Sequence, residues 1–118
     1  MKTVIAGALI ILSLVHAPIQ QDTHKEKPWK NIGSYRITVF CQYCNDPPGY
    51  QSKSGKKLKY GDVAMNDIPL GSQISIEGEK FTVKDRCGMN NTVDIFIPSN
   101  TSYCTCNYLN YKDVFLKK

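Results

Sequence analysis

The chain has 118 residues, a formal net charge of +5 and 42% hydrophobic residues. That length suits one domain with a modest core and excludes a multi-domain assembly. The positive balance favours an anionic partner surface, yet no basic helix or aromatic stacking platform is evident, so nucleic acid is not the expected partner.

The first element is not part of the domain. Lys2 precedes an apolar run from Val4 to Val15 broken only by Gly7 and Ser13, and Val15-His16-Ala17 offers a small-residue cleavage site. Residues 1–17 therefore have the form of a secretory signal peptide. The run is shorter than the roughly 20 residues that span a bilayer, so stable membrane insertion is not expected. Residues 18–33 are mostly polar, with Trp29 the one large apolar residue between Gln20 and Ile32, and read as a linker.

The domain is expected over residues 34–118. Residues 35–41 alternate and form the first predicted strand. Residues 45–60 form a long loop with Pro47-Pro48-Gly49, Ser54-Gly55 and lysines at 53, 56, 57 and 59. A loop of that length in a small domain is usually functional or pinned by a cross-link. Short strands follow at 62–65, 72–77, 80–85 and 92–97, with a hairpin turn at Gly78-Glu79. Residues 99–107 suggest a short helix capped by Ser99 or Asn100, and residues 112–116 a last strand. Six short strands with closely spaced turns and one short helix point to an all-β fold, a small six-stranded barrel.

The stretch from Lys80 to Pro98 carries the chemistry. Asp85 ends one strand, and Asp94 lies within the next among Val93, Ile95, Phe96 and Ile97. Carboxylates are disfavoured in half-buried strands, so something must hold Asp94 there. One explanation is a structural hydrogen bond to loop backbone. The other is a carboxyl in a partly apolar cleft, its pKa raised, ready to donate a proton.

Five cysteines are many for this length and favour disulfides in an exported chain. Cys41, Cys44, Cys104 and Cys106 could instead supply four thiolates to zinc. Either way Cys87 is the odd one out. A nucleophilic role for Cys87 needs a base, and neither His16 nor His24 lies in the domain.

In order along the chain, several pieces resemble the three-aspartate (3D) domain proteins of bacterial exported enzymes. These are similar to the catalytic domain of membrane-bound lytic transglycosylase A and, more distantly, to rare-lipoprotein-A proteins and expansins. The pieces are the opening strand with Thr38, Ser54-Gly55-Lys56, Ile68-Pro69-Leu70-Gly71-Ser72, Val83-Lys84-Asp85-Arg86, Val93-Asp94-Ile95-Phe96 and the closing Tyr111-Lys112-Asp113-Val114-Phe115. The resemblance spans most of residues 34–116 and implies a double-psi β-barrel. It implies Asp94 as acid and then base, Asp85 as its support, and Asp67 as a stand-in for a first aspartate that the shorter turn after Met65 lacks. Thr38, Ser54, Gly55, Arg86 and Gly88 are the implied substrate contacts. It also implies that Cys41 and Cys44 lie near Cys104 and Cys106.

The resulting expectation is a secreted, monomeric, cofactor-free protein acting on peptidoglycan or another cell-wall glycan. Two other functions remain open. One is a non-catalytic barrel that binds wall polysaccharide through the basic loop and Tyr43, Tyr50 and Tyr60. The other is a small zinc- or disulfide-stabilised interaction protein.

Overall fold

A computed structural model describes residues 28–101 and 108–118. Six strands follow in order: β1 (Trp29–Phe40), β2 (Asp62–Ala64), β3 (Gln73–Ile76), β4 (Glu79–Asp85), β5 (Thr92–Phe96) and β6 (Tyr108–Lys117). They close into a barrel in the order β1-β5-β2-β4-β3-β6. Closure removes the open sheet edges that would otherwise pair with other chains. Two pairs are parallel, β1 with β5 and β2 with β4; the others are antiparallel.

All six expected strands are present; the last begins at Tyr108 rather than at residue 112, and two further differences bear on the fold. β1 begins at Trp29, so residues 29–33 are strand rather than linker. The alternation is interrupted there by a bulge between Asn31 and Gly33, where Gly33 adopts a φ of 117° that side chains rarely tolerate. The hairpin turn is Glu77-Gly78, one residue earlier than expected. Both residues have positive φ, 51° and 84°, as a two-residue turn matched to strand twist requires. No helix occurs among the described residues. Ser99, Asn100 and Thr101 are irregular, and the rest of the expected helix lies outside the described residues. So do the expected signal peptide, most of the linker, and Cys104 and Cys106.

The barrel interior is filled by alternate strand residues, Ile37, Val63, Ile74, Ile76, Phe81, Val83, Val93, Ile95 and Val114, and by Met65 just after β2. Each such side chain contributes about 1.5–3 kcal/mol when fully buried. A second, smaller cluster lies outside the barrel wall: Phe40, Leu58, Ala64 and Phe96, with Tyr50 and Cys87 against it. Phe96 meets Phe40 and Tyr50 edge-on, at ring-centroid distances of 5.2 and 5.8 Å. This cluster fastens the long loop between β1 and β2 to the barrel, because Leu58 is its loop-borne anchor, 1% exposed.

A carboxylate also holds that loop. Asp62, fully buried at the start of β2, pairs with Lys84 Nζ at 3.1 Å and accepts from the Lys59 amide at 2.8 Å. Its other oxygen, Oδ1, has Lys59 Nζ at 3.8 Å but no hydrogen bond.

Candidate functional site

The alternation of β5 decides which way Asp94 faces. Val93 and Ile95 point into the barrel, so Asp94 and Phe96 lie on the outer face. The parallel register sets Thr38 opposite Asp94 on one side, and Ala64 lies opposite it on the other. The outer faces of β1, β5 and β2 thus make a floor of Thr38, Phe40, Ala64 and Asp94. The β1–β2 loop and the β4–β5 loop rise around it, and the result is an open cleft of about 470 Å³.

Asp94 is half-buried. Thr38 Oγ1 donates to its Oδ1 at 2.7 Å. Loss of hydration pushes its carboxyl pKa up; the Thr38 hydrogen bond and the positive charge of Arg36 act the other way, and the net direction is upward. Thr38 occupies Oδ1, which leaves Oδ2 to carry a proton.

Asp85 lines the same cleft from the end of β4, buried at 8% exposure. Its Oδ1 accepts from the backbone amides of Lys53 at 3.0 Å and Arg86 at 2.9 Å. Next to it, the Ser54 amide donates to the Lys84 carbonyl at 3.1 Å. Asp85 therefore fastens the long loop to β4 and places Lys53 on the cleft wall. Replacing Asp85 with Ala should free that attachment. Amide hydrogen exchange at Lys53 and Ser54 should accelerate at least about tenfold, consistent with the one lost bond that ties the loop to Asp85, worth about 1.5–3 kcal/mol. Unchanged protection at Lys53 would reject the tether.

The other expected site residues divide. Arg86 and Gly88 line the cleft. The Arg86 guanidinium, however, donates through Nη1 to the carbonyls of Met65 at 2.9 Å and Ile68 at 2.7 Å, which fixes the β2–β3 connection. Ser54 and Gly55 lie on the loop outside the cleft lining. Asp67 is exposed, has a φ of 66° in the turn after β2, and does not line the cleft. Its neighbour Asn66 is the residue that reaches the site's surroundings: its amide group exchanges two hydrogen bonds with the backbone of Cys87, at 3.0 and 3.1 Å. The short turn directs Asn66, not Asp67, toward the β4–β5 loop.

Several cleft residues were not singled out as contacts from the sequence, among them Arg36, Lys53, Cys87 and the loop acid Asp46. Arg36 lies two residues before Thr38 on the outer face of β1, and its Nη1 approaches Met89 Sδ at 3.2 Å. Lys53 enters from the loop, and Cys87 lies beside Asp94. Outward alternation marks Arg36 in the sequence, but only the parallel β1–β5 pairing brings it to Asp94. Burial, with the Asp94 charge adding to it, pushes the Cys87 thiol up, which works against a thiolate nucleophile. Tyr43, Tyr50 and Tyr60 do not line the cleft. Tyr60 donates its hydroxyl to Glu79 at 2.7 Å, and Tyr50 packs on Phe96.

Among the described residues no group of three or more His, Cys, Asp or Glu side chains is arranged to hold a metal ion. The zinc set of Cys41, Cys44, Cys104 and Cys106 extends beyond those residues. Compared with protein-family models, with curated proteins and with solved structures, the chain matches none.

Proposed function

We propose that this barrel is of the double-psi type, and that the chain is an exported, cell-wall-active protein that cleaves peptidoglycan glycan strands with Asp94 as its acid and base. The observation that carries the reading is a half-buried carboxyl, biased toward its protonated form, on the floor of an open cleft. An acid that works near neutral pH needs that bias. The two parallel pairs, β1 with β5 and β2 with β4, flank the antiparallel β2–β5 pair and support the double-psi reading.

In this reading Asp94 Oδ2 gives its proton to the glycosidic oxygen as the bond from the anomeric carbon breaks. The carboxylate then takes a proton from a hydroxyl of the same sugar as that oxygen bonds to the anomeric carbon. One proton leaves Asp94 and one returns, so no second carboxyl is consumed. A hydrolase with two working carboxyls would need them at a defined separation. Asp85, with an oxygen given to two backbone amides, acts here by holding the loop.

That same commitment of Asp85 favours a second reading, a barrel that binds wall polysaccharide without cutting it. Digestion of purified peptidoglycan decides between them. Anhydro-sugar products seen by mass spectrometry support cleavage. Co-sedimentation with intact sacculi and no soluble product supports binding alone.

Export also implies oxidised cysteines. We expect Cys41, Cys44, Cys104 and Cys106 to be in disulfides, and Cys87 is a free thiol. Alkylation of the denatured, unreduced protein should add one group, at Cys87. Uptake of three or more groups would reject the pairing.

A further inference from the structure

The long β1–β2 loop carries three lysines that form no ion pair among the described residues. Among the described residues Lys59 and Lys84 face Asp62, and Lys112 faces Glu77. Lys53, Lys56 and Lys57 have no carboxylate within ion-pair distance among those residues. Lys57 Nζ instead sits 5.0 Å from the centre of the Tyr50 ring. A ring face orients an ammonium without neutralising it. Tyr50 is itself fixed edge-on to Phe96, whose strand carries Asp94.

The loop around these lysines is built rather than loose. The Leu58 amide donates to the Tyr50 carbonyl at 2.7 Å, Ser52 Oγ to the Lys56 carbonyl at 2.6 Å, and the Gly55 amide to the Ser52 carbonyl at 3.0 Å. Together these bonds shape a depression of about 280 Å³ bordered by Tyr50, Ser52, Gly55, Lys56 and Lys57, with no acid on its lining. Lys53, three residues before Lys56, lines the Asp94 cleft. The same loop therefore presents lysines at the depression, where no acid lies, and one lysine at the cleft, where its own Asp46 also lines the wall.

From this arrangement we infer that the depression is an extension of the Asp94 cleft, and that the site takes a glycan bearing carboxylates. Lys53 meets the carboxylate at the cleft, and Lys56 and Lys57 meet those farther along the chain. The inference rests on the glycan reading of the cleft and adds the charge of the substrate. Asp62 and Asp85 hold the lysine-bearing segment in place from its two ends, through the Lys59 and Lys53 amides.

The test uses binding, so it is separable from cleavage. The full protein with Asp94→Asn would be titrated with an oligogalacturonate, its methyl ester and a neutral chitin oligosaccharide of equal length. The acidic oligomer should bind at least about tenfold tighter than either neutral one at low salt, and the advantage should shrink as salt screens it. Adding K56Q and K57Q should cost about fivefold or more, as two exposed ion pairs imply. The control pair K117Q and K118Q removes the same charge elsewhere and should cost less than twofold. Equal binding of all three oligomers would overturn the inference, and so would equal losses in the two lysine pairs. Tight binding of inorganic polyphosphate with none of oligogalacturonate would overturn it as well. Failure of the wild-type protein to cleave peptidoglycan, with this charge selectivity intact, would count against the catalytic reading alone.

Discussion

Asp94→Asn should abolish glycan cleavage and leave the fold in place. The amide keeps the shape of the side chain and can still accept from Thr38 Oγ1, the 2.7 Å bond that orients the carboxyl. It cannot deliver a proton. General acid–base catalysis contributes about 10²–10⁴-fold, and with one group acting as both acid and base the loss should reach the upper end. In the wild type the acid step should fail as pH rises through the elevated pKa of Asp94. Stability moves in a direction that can be derived. A carboxyl whose folded pKa lies above its unfolded value, about 3.9, costs stability at higher pH. That cost is absent below the unfolded value, grows above it, and is complete once pH passes the folded value. The variant should therefore match the wild type near pH 3 and melt at a higher temperature at pH 7. Near-wild-type cleavage by the variant would reject the role, and a lower melting temperature at pH 7 would reject the desolvated acid.

The largest loss of stability should come from a residue that does no chemistry. Asp62→Ala removes a fully buried carboxylate from Lys84 Nζ and from the Lys59 amide. It leaves an ammonium whose side chain is 13% exposed without its counter-charge. Removing one partner of a buried pair costs about 3–5 kcal/mol, and the slight exposure of Lys84 places this case near 3. For a domain of this size that lowers the melting temperature by roughly 12–24 °C. Lys84→Met in the Asp62→Ala background should recover much of the loss, because the stranded charge is gone. A single variant within about 1 kcal/mol of wild type, by denaturant or thermal unfolding, would show that solvent reaches the pair.

Asp62 also shows where sequence reading stops. It follows Gly61 at the head of a strand, a place where an aspartate looks like part of a turn. Its burial depends on Lys84, 22 residues on, and on β2 lying parallel to β4. Asp94 was legible because the anomaly is local: a carboxylate with apolar neighbours on both sides. The six strands were legible for the same reason, since period-two alternation is written along the chain. Residues 29–33 were not, because the bulge at Gly33 breaks that period and Lys30 and Asn31 read as linker. Strand order was not legible either, and with it went Arg36, whose place beside Asp94 comes from the β1–β5 register. Asp67 lies outside the cleft lining: a resemblance aligns positions, whereas the backbone of a shortened turn decides which of two adjacent side chains faces the β4–β5 loop.

The closed order of strands also governs how the molecule comes together. β1 makes ladders with β5 and β6 and with no other described strand, and both of these follow residue 91. A chain that emerges from its amino end therefore holds a 12-residue strand with both edges open until the final segment arrives. The β3–β4 hairpin, joined by two residues, can form within about 1–10 μs. The seam on either side of β1 must wait for the most distant pairings in the sequence, and such topologies fold in roughly milliseconds to seconds. During that interval the open edges of β1 can pair with another copy as readily as with β5 or β6.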